Sequence, residues 1–327
     1  MNVFVTGGAG YIGSHTVRLL LESGHEVTVF DNLSEGHAAA VPEGLLVRGD
    51  LADAAALTEA LSAQKFDAVV HFAANCYVGE SVEDPEKYYR NNVANSLNLL
   101  RAMRAAGVGR IVFSSSAATY GNPAENPITE THPQNPINPY GRTKLMFEQM
   151  LADYALAYGF GCVSLRYFNA AGAAPDGSIG EDHDPETHLI PIVLQVTLGQ
   201  REKVSIFGSD YDTPDGTCVR DYIHILDLAQ AHVLALERIE SGQARMYNLG
   251  NGEGYSVRQV IEVAEKVTGT EIPRVDAARR PGDPDTLVAS SERIMEELGW
   301  RPAYPSLEEI IATAWHWHRS HPDGYGD

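Results

Sequence analysis

Val3-Phe4-Val5-Thr6-Gly7-Gly8-Ala9-Gly10-Tyr11-Ile12-Gly13 stands near the start of the chain, and its reading decides the fold. A short apolar run is followed at once by glycines at positions 7, 10 and 13, and then by a helical pattern over residues 12–23. In a strand, turn and helix of this kind, one glycine permits the tight turn, one lets a pyrophosphate approach the backbone, and one allows the helix to pack closely on the strand. The helix start also offers unpaired N–H groups to phosphate. Gly7, Gly10, Tyr11, Ile12 and Gly13 are therefore candidate cofactor contacts. Glycine triplets also occur in ordinary loops, so the weight falls on their context.

That context is a repeated alternation of strand and helix. Residues 27–30, 45–47, 68–71 and 111–113 are further short, nearly continuous apolar runs, and helical patterns cover residues 54–63 and 87–106. Continuous apolar strands belong to a parallel sheet covered on both faces. The order predicts a doubly wound α/β fold with right-handed crossovers, a Rossmann arrangement. After the strand at 162–167 the texture changes. Pro, Gly and acidic residues thicken through 173–186, and short elements at 204–207 and 229–239 suit a smaller α+β portion. The expected division is a dinucleotide-binding domain over 1–165 and a mainly substrate-binding domain over 166–327, some segments of which can return to the first.

Composition narrows the function. The 327 residues, 44% of them hydrophobic, can bury a full core. A formal charge of −20 argues against nucleic acid, whose binders carry basic patches. No basic leader or long apolar span is seen, so a membrane is not expected and a cytoplasmic location is. Cys76, Cys162 and Cys218 are too few and too scattered for a disulfide framework or a zinc site. Three free thiols and no metal are expected.

Asp31 closes the second strand at the spacing of an acid that accepts hydrogen bonds from ribose hydroxyls, and no arginine follows at once to hold a 2′-phosphate. This favours NAD over NADP; the alternative is that Asp31 caps the turn into Asn32-Leu33-Ser34. Asn32 beside it is a candidate contact. Asp50-Leu51 follows the third strand, where a carboxylate can accept from the adenine amino group or cap a helix. Phe72-Ala73-Ala74 ends the fourth strand with small residues that let a dinucleotide lie close. Asn91 is polar within a helix, with plain solvation as its alternative.

Chemistry is suggested by Pro139-Tyr140-Gly141-Arg142-Thr143-Lys144. A tyrosine and a lysine four apart share a helix face, so the ammonium can stabilise a phenolate that otherwise forms only near pH 10. Bringing such a phenol into use near neutrality takes roughly 4 kcal/mol of differential stabilisation; an oxidised nicotinamide would add a second positive charge. Ser114-Ser115-Ser116 follows the strand at 111–113, on the edge where chemistry is expected in this architecture. Ser116 there can order a substrate hydroxyl against Tyr140. Taken alone, a serine cluster is as readily a turn or cap.

The glycines, Asp31, Ser116 and Tyr140-x-x-x-Lys144, in that order, resemble the extended short-chain dehydrogenase/reductase superfamily. Within it the chain is similar nearly end to end to the UDP-glucose 4-epimerase family. The matching stretches include Gly10-Tyr11-Ile12-Gly13-Ser14-His15, Val78-Gly79-Glu80-Ser81, Arg166-Tyr167-Phe168-Asn169, Val219-Arg220-Asp221-Tyr222-Ile223-His224 and Tyr247-Asn248-Leu249-Gly250. The resemblance implies that Phe168 joins the cofactor contacts. It also implies that Asn169, His188, Leu189, Arg220, Tyr222, Arg280 and Asp283 hold a UDP-hexose, with Phe207 near the uracil. Guanidinium groups suit a diphosphate; the alternatives are an Arg220–Asp221 ion pair and a solvated Arg279–Arg280 pair.

The implied reaction oxidises carbon 4 of the sugar and reduces it again. Tyr140 takes the 4-hydroxyl proton, Ser116 steers the hydroxyl, and Lys144 lowers the Tyr140 pKa and binds the nicotinamide ribose. UDP anchors the ligand while the keto-hexose turns over. Family resemblance also implies a homodimer, through helices that include Asn91 and Tyr140. Two positions depart from the pattern. Cys76 replaces a lysine found in some members, and Leu287 borders the sugar pocket where a tyrosine can stand, which would admit a 2-acetamido group unless Leu287 is simply core. Other readings are a UDP-glucuronate or UDP-pentose 4-epimerase, a 4,6-dehydratase, whose added acid is missing from Ala117-Ala118-Thr119, and an NAD-sensing protein without catalysis.

Overall fold

The computed structural model describes residues 1–280 and 283–326. Seven parallel strands form the main sheet: β1 (Asn2–Thr6), β2 (Glu26–Asp31), β3 (Leu46–Arg48), β4 (Ala68–His71), β5 (Arg110–Ser114), β6 (Gly161–Tyr167) and, much later in the chain, β10 (Ala244–Leu249). Their spatial order is β10-β6-β5-β4-β1-β2-β3, so the direction of winding reverses between β1 and β4. Ligands of open α/β sheets bind at that switch point.

Alternation along the strands explains their unbroken apolar runs, because successive side chains leave opposite faces. Val3 and Val5 face one layer, packed with Val17 and Leu20 of α1 (Tyr11–Glu22) and Leu228 and Ala231 of α8 (Ile225–Glu237). Phe4, Val69 and Ile111 face the other layer. Their partners there are Leu57 of α2 (Ala54–Ser62), Leu99 and Met103 of α5 (Ser96–Ala106), and Phe147 and Leu151 of α6 (Pro139–Tyr158). Between α2 and α5 lie α3 (Val78–Glu83) and α4 (Pro85–Tyr88).

The smaller portion is built on β7 (Asn169–Ala171), β9 (Val219–His224), β11 (Gly254–Ser256) and β13 (Thr286–Leu287), with β8 (Val204–Phe207) and β12 (Arg274–Ala277) as a separate parallel pair. Its core lies among α7 (Leu189–Thr197), α9 (Val257–Thr268) and α11 (Leu307–Ser320). The segment 229–239, expected in this portion, instead lies mostly in α8 on the large sheet, because Leu228, Ala231, Ala235 and Leu236 form a buried stripe toward it. Strand β10 and Ile294 of α10 (Glu292–Glu297) join the same core. The single helix expected over 87–106 is interrupted by a π-helical turn, Tyr89–Asn95.

One buried ion pair fixes α6 to the sheet. Arg166 of β6 and Glu148 of α6 are 1% and 6% exposed. Arg166 Nη2 donates to Glu148 Oε2 at 2.6 Å and Nε to Oε1 at 2.9 Å, while Nη1 donates to the Tyr120 hydroxyl at 2.8 Å. Ser115 Oγ donates to Glu148 Oε1. Removing one partner strands a charge that water cannot reach. Arg166→Met is therefore expected to destabilise the fold by about 3–5 kcal/mol in urea titration, with Arg166→Met/Glu148→Leu recovering most of the loss.

Candidate active site

The crevice between the carboxyl ends of β1 and β4 is shaped by missing side chains. Gly7 has φ +73°, and a Cβ there would lie 2.4 Å from Ala73 N; a Cβ at Gly13 would lie 2.1 Å from Gly7 O. Packing thus demands both glycines. Gly10 differs, since its Cβ would meet only Gly7 O, at 3.6 Å, so its bareness serves something other than protein packing. Gly10 caps α1 without a side-chain bond, and the first turn carries no acid. Such an N-terminus fits a pyrophosphate. Tyr11 donates its hydroxyl to Gly172 O at 2.6 Å, tying this loop to the end of β7, and Ile12 packs on the core.

Asp31 caps the turn that follows it, and its carboxylate also holds the glycine loop. One carboxylate oxygen accepts from Ala9 N and the other from Leu33 N, each at 2.9 Å. Each oxygen keeps a second lone pair. Burial raises the Asp31 pKa against the lowering by these backbone donors. Asn32 Nδ2 donates to Asp50 Oδ2 at 2.8 Å, which ties the loops after β2 and β3 together. Asp53 rather than Asp50 caps α2. Leu51 is buried, Phe72 packs against His232 with ring centroids 4.8 Å apart, and Ala73 donates its N–H to Thr6 O; Ala74 follows, partly buried.

Asn91 is not simply solvated. It donates to Asn75 Oδ1, while Asn92 accepts from Asn75 N at 2.9 Å and donates to Thr143 Oγ1 at 3.1 Å. The π turn allows adjacent asparagines to reach the same loop. This cluster links the end of β4 to α6, and the repeated asparagines of 91, 92 and 95 were its signal in the sequence.

Asn138 and Pro139 start α6 as N-cap and first helical residue, with Asn138 Oδ1 accepting from Gly141 N at 2.8 Å. Tyr140 and Lys144 then face β5. Lys144 is buried, donates to Ser114 O at 2.8 Å and lies 5.7 Å from the centre of the Tyr140 ring. Ser116 accepts from Ala118 N at 3.1 Å and stands near enough to Tyr140 to favour its ionised form. Burial pushes the phenol well above its ordinary value, nearby Tyr167 and Cys76 add to this, and Ser116 works against it. The ammonium is directed at the Ser114 carbonyl. Cys76 is exposed, and all three thiols are free.

The expected substrate residues gather in the smaller portion. Arg220 pairs with Asp283 and donates to Val219 O and Pro284 O, so the Arg220–Asp221 pair does not form. Asp221 is buried beneath the strand, accepting from Asn251, Gly252 and Ala289 N–H groups. Tyr222 is buried with its phenol near Arg220 and Cys218. Arg280 lies 4.1 Å over the Phe207 ring, and Arg279 covers Tyr211 instead. Asn169 Nδ2 donates to Asp221 O at 2.8 Å. Leu287 and Phe168 pack together on Ala117, Tyr120 and Ile128, next to Ser116. His188 caps α7 but turns its Nδ1 to Glu181, 2.7 Å away, while Leu189 packs on the core.

A glycine crevice facing a serine, tyrosine and lysine defines a dinucleotide-dependent enzyme, and residues 3–250 match the NAD dependent epimerase/dehydratase family. The UDP-glucose 4-epimerase of Halalkalibacterium halodurans is 56% identical over 326 residues, 99% of this chain and 98% of that protein. The solved structure of UDP-glucose 4-epimerase from Brucella ovis in complex with NAD is 52% identical, covering 97% of this chain and 98% of that one, with a TM-score of 0.93. The enzyme from Bifidobacterium longum, solved with NAD+ and UDP, is 40% identical over 99% and 100% of the two chains, with a TM-score of 0.94. The chain belongs to the NAD dependent epimerase/dehydratase family and, within it, to the UDP-glucose 4-epimerases.

Burial lowers the Lys144 pKa to about 8, against opposing contributions from Cys76 and Glu148. The unfolded chain holds this proton up to about 10.4, so between those values the unfolded state binds more protons and stability from this group grows with pH. An activity that uses the ammonium would move the other way. An alkaline limb near pH 8 is expected in the pH–rate profile; Lys144→Arg, whose guanidinium keeps its charge, should lower the rate but flatten that limb.

Proposed function

We propose that the protein interconverts UDP-galactose and UDP-glucose by inverting carbon 4 of the hexose around a retained NAD. The observation that carries this reading is the Ser116, Tyr140 and Lys144 set beside the glycine crevice, in a chain matched end to end by UDP-glucose 4-epimerases. Carbon 4 carries no acidic hydrogen, so direct deprotonation is unfavourable. Bound NAD supplies reversible acceptance of hydride from that carbon. Gly7, Gly10, Gly13, Asp31, Asp50 and Asn91 would hold it. Tyr140 takes the proton of the 4-hydroxyl and later returns it, with Ser116 aligning the two oxygens. Burial raises the Tyr140 pKa in the isolated protein, and a positive charge on bound NAD would favour the phenolate.

The UDP end stays anchored while the hexose turns. Arg220, Arg280 and Asp283 supply charges for the diphosphate and a ribose, with Phe207 beside the base. Diphosphate would compete with Asp283 for the Arg220 guanidinium, a bidentate acceptor replacing a carboxylate. Residues 1–165 with the later strand β10 and helix α8 would carry the cofactor, and the smaller portion the nucleotide sugar. Exposed Val82, Met146 and Leu156 on α3 and α6 support pairing of two copies through these helices. The three free thiols suit a reducing cytoplasm. Purified protein given UDP-galactose and no added cofactor should form UDP-glucose, followed by NMR; absence of conversion even with NAD supplied would overturn the reading.

The same site is proposed to accept the 2-acetamido sugars. Leu287 lies on the small cluster with Ala117 and Phe168, and its side chain is shorter than a tyrosine. Leu287→Tyr should lower kcat/KM for UDP-N-acetylglucosamine roughly tenfold more than for UDP-glucose, a difference of about 1.4 kcal/mol; equal losses on both would remove Leu287 as the selective contact.

A further inference from the structure

The segment ahead of α7 reads Glu181-Asp182-His183-Asp184-Pro185-Glu186-Thr187-His188, and the reaction described above uses neither carboxylate. Folding turns the spacing Glu-x-His-x-x-Glu-x-His into one cluster. One ligand atom from each of Glu181, His183, Glu186 and His188 lies within 4.8 Å of the other three. His183 Nδ1 is 3.2 Å from Glu181 Oε1 and 3.9 Å from Glu186 Oε2; His188 Nδ1 is 2.7 Å from Glu181 Oε1 and 3.3 Å from Glu186 Oε1.

We propose that these four side chains bind a divalent transition-metal ion of the zinc class, which fastens the segment before α7 to the dinucleotide crevice. Zinc bonds of about 2.0–2.1 Å to nitrogen and oxygen place the corners of a tetrahedron about 3.3–3.4 Å apart; Glu181 Oε1 stands 3.2 and 2.7 Å from the two imidazoles, and Glu186 presents one oxygen to each. The donors also converge. Both imidazoles address the same oxygen of Glu181 and both lie near Glu186, whereas two separate ion pairs would need one partner each. The Glu181 and Glu186 side chains are 4% and 3% exposed, and among the described residues no lysine or arginine pairs with either. A doubly charged cation balances the two carboxylates. Two nitrogen and two oxygen donors suit zinc and its neighbours, in contrast to the all-oxygen sets of calcium and magnesium.

The surroundings hold the donors in place as outer partners of a metal site do. Thr187 N and His188 N both donate to Glu186 Oε1 at 2.7 Å, and Trp317 Nε1 donates to Glu181 O at 3.2 Å. A cavity of about 40 Å3 lined in part by Glu181, His183, Glu186 and His318 adjoins the cluster. Four protein ligands leave no open coordination position, the mark of a structural site. The His183 ring meets the edges of Tyr11 and Tyr77, each with centroids 6.3 Å away. Those tyrosines follow β1 and β4, one on each side of the crevice, so the ion would set the spacing of the two loops that enclose the cofactor.

The test is metal analysis of the full chain, expressed with zinc in the medium and freed of any histidine tag. Plasma mass spectrometry is expected to find about one zinc per chain. Pyridine-2,6-dicarboxylate should remove it and lower the thermal midpoint, and zinc sulfate titrated into the stripped protein should restore both, with heat of binding in calorimetry. Cobalt in its place should give the intense visible bands of a tetrahedral ion. His183→Gln and Glu181→Gln should each weaken zinc binding roughly tenfold or more; if either misfolds, the stripped wild-type chain still decides through calorimetry. Zinc at less than about a tenth of an ion per chain, with no heat on titration, would overturn the proposal. So would undiminished binding in a folded His183→Gln.

Discussion

The pairing of Arg166 with Glu148 is the constraint on which the site depends. Tyr140, Lys144 and Glu148 follow one another at four-residue steps on α6, so one helix face carries the phenol, the ammonium and the carboxylate in a row. Arg166 grips the carboxylate from β6, and Ser115, one residue before Ser116, grips it from the end of β5. The helix therefore cannot rotate or slide without breaking charge-assisted bonds in a place that water does not reach. Tyr120 carries the network onward, bonding both Arg166 and Asn248 of β10. A strand contributed from late in the chain thus helps to fix the angle of the catalytic helix.

This rigidity makes sense of the titration of Tyr140. An exposed phenol would be easy to ionise but also open to water and to adventitious proton exchange. Here the phenol is 7% exposed, and the lysine that shares its helix face spends its proton on the Ser114 carbonyl. In the proposed reaction a cationic ring in the crevice would favour the phenolate. Acid–base readiness would then follow cofactor occupancy, which suits a reaction whose oxidised sugar must not be left without a reductant.

Much of this was legible in the sequence because it follows from local rules. Gly13 is demanded by contacts within a single strand-turn-helix unit, Gly7 by a turn of positive φ that also lies against Phe72 and Ala73, and the tyrosine and lysine by helical spacing alone. The alternation of strands and helices fixed the layers, since a parallel strand buried on both faces has few other ways to read. What escaped depended on distant pairing. Helix α8 was assigned to the smaller portion because its sequence stands beyond the change in texture, while its apolar stripe faces α1 some two hundred residues earlier. Glu148 went unmarked since a lone glutamate on a helix is ordinarily solvated, and only the arrival of Arg166 from β6 makes it a buried anchor. The break in the helix over 89–95 likewise arises from side chains bonding a loop at the end of β4, which helical periodicity cannot reveal.

Hydrogen bonds beside the crevice join the two portions of the molecule and brace the smaller one internally. Tyr11 reaches from the first turn of α1 to the carbonyl of Gly172, and Asn169 at the start of β7 bonds the backbone of Asp221 in β9. Asp221 in turn uses its carboxylate to bind three N–H groups from the segments 251–252 and 289, close to Leu287 and Asp283. These bonds run from the first turn of α1 through β7 to the strand that carries Arg220 and Tyr222. In the proposed reaction they would hold cofactor loop and substrate strand in fixed relation while the hexose turns between them.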